Sequence, residues 1–137
     1  MRLFLDTSAY AKRFIEEQGS TDLEEIISGV DELGLSVICI PELFSAMSRR
    51  LREKSISKSQ YSEIKIIFSE EIKDIDIVQL TDSVLQNTIK LLEKHILRTL
   101  DAIQIASAVE WKADAFITSD KRQINAAKGM IANVYFV

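Results

Sequence analysis

Short apolar runs alternate with longer amphipathic stretches along this chain, and that alternation constrains its fold more than any other feature. The runs are Arg2–Leu5, residues 36–40, residues 75–80, Ala115–Thr118 and residues 131–136. Each has the length of a strand. The run at 36–40 is apolar throughout, which suits a strand covered on both faces. Strands alternating with helices predict an α/β fold, a central parallel sheet of about five strands between two helical layers.

The stretches between the runs predict the helices. Residues 10–17 and 21–28 form two short ones. Pro41 opens the next, because its missing N–H costs nothing in a first helical turn, and Leu43, Phe44, Met47 and Leu51 make its apolar stripe. Ser57 or Ser59 caps a following helix with Tyr61, Ile64, Ile67 and Phe68 inward. Thr81 caps a helix running to about residue 94, Thr99 caps one over 100–111, and Lys121–Lys128 is the last.

A chain of 137 residues suits one domain, spanning 1–137, and can bury roughly two-thirds of its unfolded surface. No segment approaches the ~18 apolar residues of a membrane span. The N-terminal apolar run meets Asp6 at once, so no signal peptide is expected. Cys39, the single cysteine, has no internal partner and fits a reducing compartment. These features lead us to expect a soluble, cytoplasmic protein. The formal net charge of −4 argues against nucleic-acid binding by bulk electrostatics alone. One bound divalent cation would bring it to −2 and two to zero, so negative charge gathered in a metal site remains compatible.

In an open parallel sheet, ligands bind beyond the carboxyl ends of the strands. Asp6 ends the first run, Glu42 lies two residues past the second, and Asp120 lies two residues past the fourth; Asp101 opens the helix before the fourth run. Each acid has an alternative explanation, since a carboxylate in a first helical turn caps free amides. Convergence would change the energetics. Two carboxylates about 5 Å apart repel by roughly 3 kcal/mol at an effective dielectric of 20. A hard divalent cation such as magnesium relieves that repulsion, and no His-Cys cluster suggests zinc. On this view Asp101→Asn should raise the melting temperature in chelator.

At these residues the chain resembles a known family. Leu3-Phe4-Leu5-Asp6-Thr7-Ser8-Ala9 is similar to the opening of PIN domains, and Pro41-Glu42-Leu43 to the second acidic motif. Arg98-Thr99-Leu100-Asp101-Ala102-Ile103-Gln104-Ile105-Ala106 resembles the third and Phe116-Ile117-Thr118-Ser119-Asp120 the fourth. Order, spacing and length resemble the VapC-type ribonuclease toxins of toxin–antitoxin pairs; Gln104 departs from the histidine that many relatives carry. The resemblance implies that Asp6, Glu42, Asp101 and Asp120 are catalytic, holding one or two Mg2+ or Mn2+ ions. It implies that Ser8 and Thr118 support the site with hydroxyls, and that water activated at the metal hydrolyses RNA phosphodiester bonds. It further implies a cognate antitoxin laid against the helices over 41–71, and a homodimer.

Arg98 can either buttress the acids or touch RNA. Among the basic pairs Lys12-Arg13, Arg49-Arg50 and Lys121-Arg122, the middle one is the candidate for RNA contact, although such runs also serve as solvated helix faces. His95 reads as a helix-end residue, and Cys39, Trp111 and the phenylalanines read as core. No phosphate-cradling glycine loop is present. A haloacid-dehalogenase phosphatase needs a second aspartate where Ser8 stands, and a response-regulator receiver needs an acidic pair where Leu5 precedes Asp6. The remaining alternative is a catalytically silent PIN fold acting as an RNA- or protein-binding module.

Overall fold

The computed structural model describes residues 1–137. The elements run β1 (Arg2–Leu5), α1 (Thr7–Tyr10), a 3-10 turn (Ala11–Arg13), α2 (Ser20–Ser28), β2 (Glu32–Ser36), α3 (Cys39–Arg52) and α4 (Lys58–Glu71). They continue with a second 3-10 turn (Ile72–Asp74), β3 (Asp76–Val78), α5 (Asp82–Lys94), α6 (Thr99–Glu110), β4 (Ala115–Thr118), α7 (Lys121–Lys128) and β5 (Asn133–Phe136). All strand pairs are parallel, in the order β3-β2-β1-β4-β5.

Strand alternation divides the core into two layers. Leu3 and Leu5 face a cluster that includes Tyr10, Leu23, Leu43, Met47, Ile64 and Phe68, supplied by α1 to α4. Phe4 and Phe116 face the other way, against Val84, Leu91, Ile105 and Ala126 from α5 to α7. The result is the expected α/β/α sandwich. Because the chain moves outward from β1 to β3 and then returns to β4, the order reverses between β1 and β4. In open α/β sheets this switch point is where ligand crevices form.

The boundaries show where short-range reading fails. The second strand is Glu32–Ser36, not 36–40. Gly34 sits in it because a Cβ there would meet the Trp111 indole at 2.9 Å. Ile38 becomes the N-cap of α3, and Cys39 and Ile40 enter the helix, since a short apolar run suits a buried helix start as well as a strand. Pro41 is therefore the third residue of α3, and Cys39 is its buried first residue.

The helix expected over 10–17 starts earlier, at Thr7, because Asp6 accepts the Ala9 N–H as N-cap, and it is spent by Arg13. Ser57 closes a capping box with Gln60, and Thr81 caps α5. At α6 the N-cap is Arg98, with no side-chain cap, and Thr99 is already helical. Of the inward set on α4, Ile64 and Phe68 are buried, whereas Ile67 is 47% exposed.

Candidate active site

At the switch point, β1 and β4 place Asp6 and the Thr118–Asp120 turn side by side. The Asp6 amide donates to the Ile117 carbonyl at 3.1 Å, which extends the ladder one residue past β1. Asp6 is buried, and four groups donate to its carboxylate. Oδ1 accepts the Ala9 N–H at 2.8 Å and the Ser8 hydroxyl at 2.7 Å. Oδ2 accepts Thr118 Oγ1 at 2.6 Å and Gln123 Nε2 at 3.0 Å, with Ser8 Oγ at 2.9 Å. Burial nevertheless dominates and raises its pKa to about 6; the Thr118, Ala9 and Ser8 bonds only partly offset that rise.

The other three acids come from separate elements. Asp101, in the first turn of α6, accepts Arg98 Nε at 3.0 Å and Gln123 Nε2 at 3.2 Å. Glu42, in the first turn of α3, accepts Thr7 Oγ1 at 2.8 Å and Gln104 Nε2 at 2.9 Å, both on Oε1. Asp120 caps α7 and pairs with Arg122 at 2.9 Å, with Arg98 at 3.8 Å. The Arg122 bond is the main cause holding its carboxyl below the usual range.

All four acids line one cleft of about 270 Å³, together with Thr7, Ser8, Arg49, Arg98, Gln104 and Gln123. Its carboxylate oxygens are hard donors suited to magnesium or manganese, and no histidine or cysteine lines it. Asp6 is a carboxylate whose charge its surroundings oppose, so a cation there would be favoured. No three acids form a ready-made cage. They are held by neighbouring donors instead, and Gln123 serves both Asp6 and Asp101.

The supporting residues divide as follows. Thr118 Oγ1 accepts the Asp120 N–H at 2.9 Å while donating to Asp6, and Ser8 Oγ accepts the Ser119 N–H at 3.0 Å while donating to the same acid. Arg98 buttresses Asp101. Arg49 lies in the cleft and pairs with no acid, whereas Arg50 turns to Glu17 at 3.5 Å and lies outside the cleft. Lys12 and Arg13 are committed to Glu17 and to Glu24 and Glu71.

Three residues had no place in the sequence-derived site: Thr7, Gln104 as a donor, and Gln123. Gln104 stands one helical turn from Asp101, a spacing that signals a shared face. Gln123 stands in the first turn of α7 with no motif to mark it.

Fold and cleft together define an α/β/α domain with an acidic site at its switch point. The sequence pattern of the PIN domain matches residues 3–129, and the chain belongs to the PIN domain family. It is 27% identical over 107 residues to ribonuclease VapC45 and to ribonuclease VapC49, both of Mycobacterium tuberculosis; that stretch covers 78% of this chain and 74% of each relative. Among solved structures, VapBC2 of Rickettsia felis bound to a promoter DNA fragment superposes with a TM-score of 0.69 at 15% identity, covering 100% of this chain and 99% of the other. A toxin–antitoxin complex from Klebsiella pneumoniae gives 0.70 at 15% identity, over 98% and 99%. These superpositions establish the shared fold.

Proposed function

We infer that this protein is a metal-dependent endoribonuclease, the toxin of a toxin–antitoxin pair. The observation that carries the reading is the meeting of Asp6, Glu42, Asp101 and Asp120 in one cleft at the β1/β4 switch point. It is supported by relatives that are ribonucleases and by structural neighbours that are toxin–antitoxin complexes.

Asp6, Glu42, Asp101 and Asp120 would hold Mg2+ or Mn2+, as one or two ions. The bound cation would supply positive charge against the phosphate and make water nucleophilic near neutral pH. The residues of the chain do the rest. Arg49, exposed and unpaired at the cleft, receives an RNA phosphate. Glu42 Oε2 accepts no hydrogen bond from the protein, so it is the oxygen of this acid left open to a cation. Thr118 and Ser8 fix Asp6, and Arg98 fixes Asp101.

The partners follow from the same reading: an RNA substrate, an antitoxin over the cleft and the α3–α4 pair, and a second copy of this chain. On α5, Leu85, Ile89 and Leu92 are 42%, 49% and 36% exposed at helical spacing, and Ile96, just past the helix end, is fully exposed. The helix carries Asp82 in its first turn and Lys94 in its last. Two copies packed antiparallel across Ile89 would therefore bring unlike ends together. No helix is long and apolar enough to cross a membrane.

The test is cleavage of total cellular RNA by the purified chain. Cutting in Mg2+ or Mn2+ that stops with chelator supports the reading. Binding of RNA without cutting, at any cation concentration, would favour a silent binding module.

A further inference from the structure

Gln123 is 3% exposed, and its amide nitrogen lies 3.0 Å from Asp6 Oδ2 and 3.2 Å from Asp101 Oδ1. It is the one group in the protein that donates to both carboxylates. Two features make this arrangement more than packing. A carboxylate offers about four lone-pair positions, and Asp6 already has four donors: Ala9 N–H, Ser8 O–H, Thr118 O–H and Gln123 N–H. A cation ligating Asp6 therefore competes with these donors for its oxygens. Meanwhile the Gln123 carbonyl oxygen is buried with no hydrogen-bond partner, a cost that an amide bears only while its N–H groups are well used. Turning the amide over would aim that oxygen at two carboxylates, so the nitrogen must face them.

Ala9 is fixed in the backbone of α1, and Thr118 is held by the Asp120 N–H that it accepts. Ser8 is likewise engaged by the Ser119 N–H. Gln123 holds its place through a flexible side chain and occupies the space between the two acids. The geometry points to Gln123 as a positioning residue that acts as a latch: its amide stands in for the cation between Asp6 and Asp101 and swings away when a divalent ion binds both. This rests on the metal-site reading of the cleft. A latch competes with the ion, whereas a simple brace would hold the acids ready for it, so the two roles predict opposite effects of removing the amide.

The experiment is calorimetric titration of Mn2+ into the wild type, Gln123→Met and Gln123→Asn, paired with thermal melts in chelator. Methionine keeps the length and helix propensity without donors; asparagine keeps the amide but is too short to span both acids. A latch predicts a lower melting temperature for Gln123→Met in chelator and Mn2+ binding about tenfold tighter, equal to about 1.4 kcal/mol. Gln123→Asn should shift the same way by less. Mn2+ should also raise the melting temperature of Gln123→Met more than that of wild type. Weaker or unchanged Mn2+ binding in either variant, with wild type still binding, overturns the latch and leaves the metal site standing. Should Gln123→Met fail to fold, Gln123→Asn decides alone. Wild type that binds no Mn2+ overturns both.

Discussion

Thr118 Oγ1 donates to Asp6 Oδ2 across 2.6 Å while accepting the Asp120 amide at 2.9 Å, so one buried hydroxyl ties the acid after β1 to the acid after β4. Thr118→Val keeps the shape and removes both bonds. Hydrogen bonds to charged groups are worth about 1.5–3 kcal/mol, and an amide left without its acceptor adds to the loss. We expect Thr118→Val to lose about 2 kcal/mol in urea denaturation, with nuclease activity reduced further. A loss below about 0.5 kcal/mol would show that Asp6 does not depend on this bond.

The raised pKa of Asp6 makes stability depend on pH in a defined direction. Burial raises it from 3.8 to about 6, so between those values the folded state holds a proton that the unfolded state has released. Stability in chelator should therefore fall as pH rises through that window, by about 3 kcal/mol at one pKa unit per 1.36 kcal/mol. Asp120 works the other way: its lowered pKa gives stability that is lost only as pH falls below the ordinary carboxylate value. Urea melts in chelator at pH 4.5 and pH 6.5 read the first effect. Asp6→Asn should flatten the difference, and an unchanged slope in that variant would assign it elsewhere.

Much of this site was legible in the chain because its acids follow strands, and strand ends β1 and β4 are marked by short apolar runs bounded by polar residues. Glu42 was identified even though β2 ends at Ser36, six residues before it and not two. The acidic motif and its place in a first helical turn survive that slip; the strand boundary does not, because residues 38–40 are equally apolar whether they pair in a sheet or start a buried helix. Gln123 and Thr7 escaped because their roles depend on contacts to residues far away in sequence. A glutamine in the first turn of a helix, read alone, is a solvated residue. The structure also changes one energetic expectation. Asp101 has two donors, Arg98 and Gln123, so Asp101→Asn in chelator forfeits an ion pair as well as relieving repulsion, and the expected rise in melting temperature becomes smaller.

The two neighbouring arginines separate in the structure, and so should their variants. Arg49 lines the cleft without an acidic partner, and Arg50 faces Glu17. Arg49→Ala should weaken RNA binding and lower the salt slope by about one unit, while Arg50→Ala should leave the slope unchanged. Equal effects from both would mean that RNA follows the whole face of α3.

For the α5 stripe, Ile89→Glu would set two like charges against each other at the proposed axis. Sedimentation should show a dimer for wild type and a monomer for the variant, with the fold intact by circular dichroism. A variant that remains dimeric would move the interface off α5.

Cleavage of total cellular RNA by the wild type and by folded Asp101→Asn, each with Mg2+ or Mn2+ and each with excess chelator, tests the central claim most directly. The four-acid cleft predicts cutting only by the wild type with cation, and a loss of at least about a hundredfold in Asp101→Asn. Cutting that persists in chelator, or a folded Asp101→Asn as active as wild type, would contradict it.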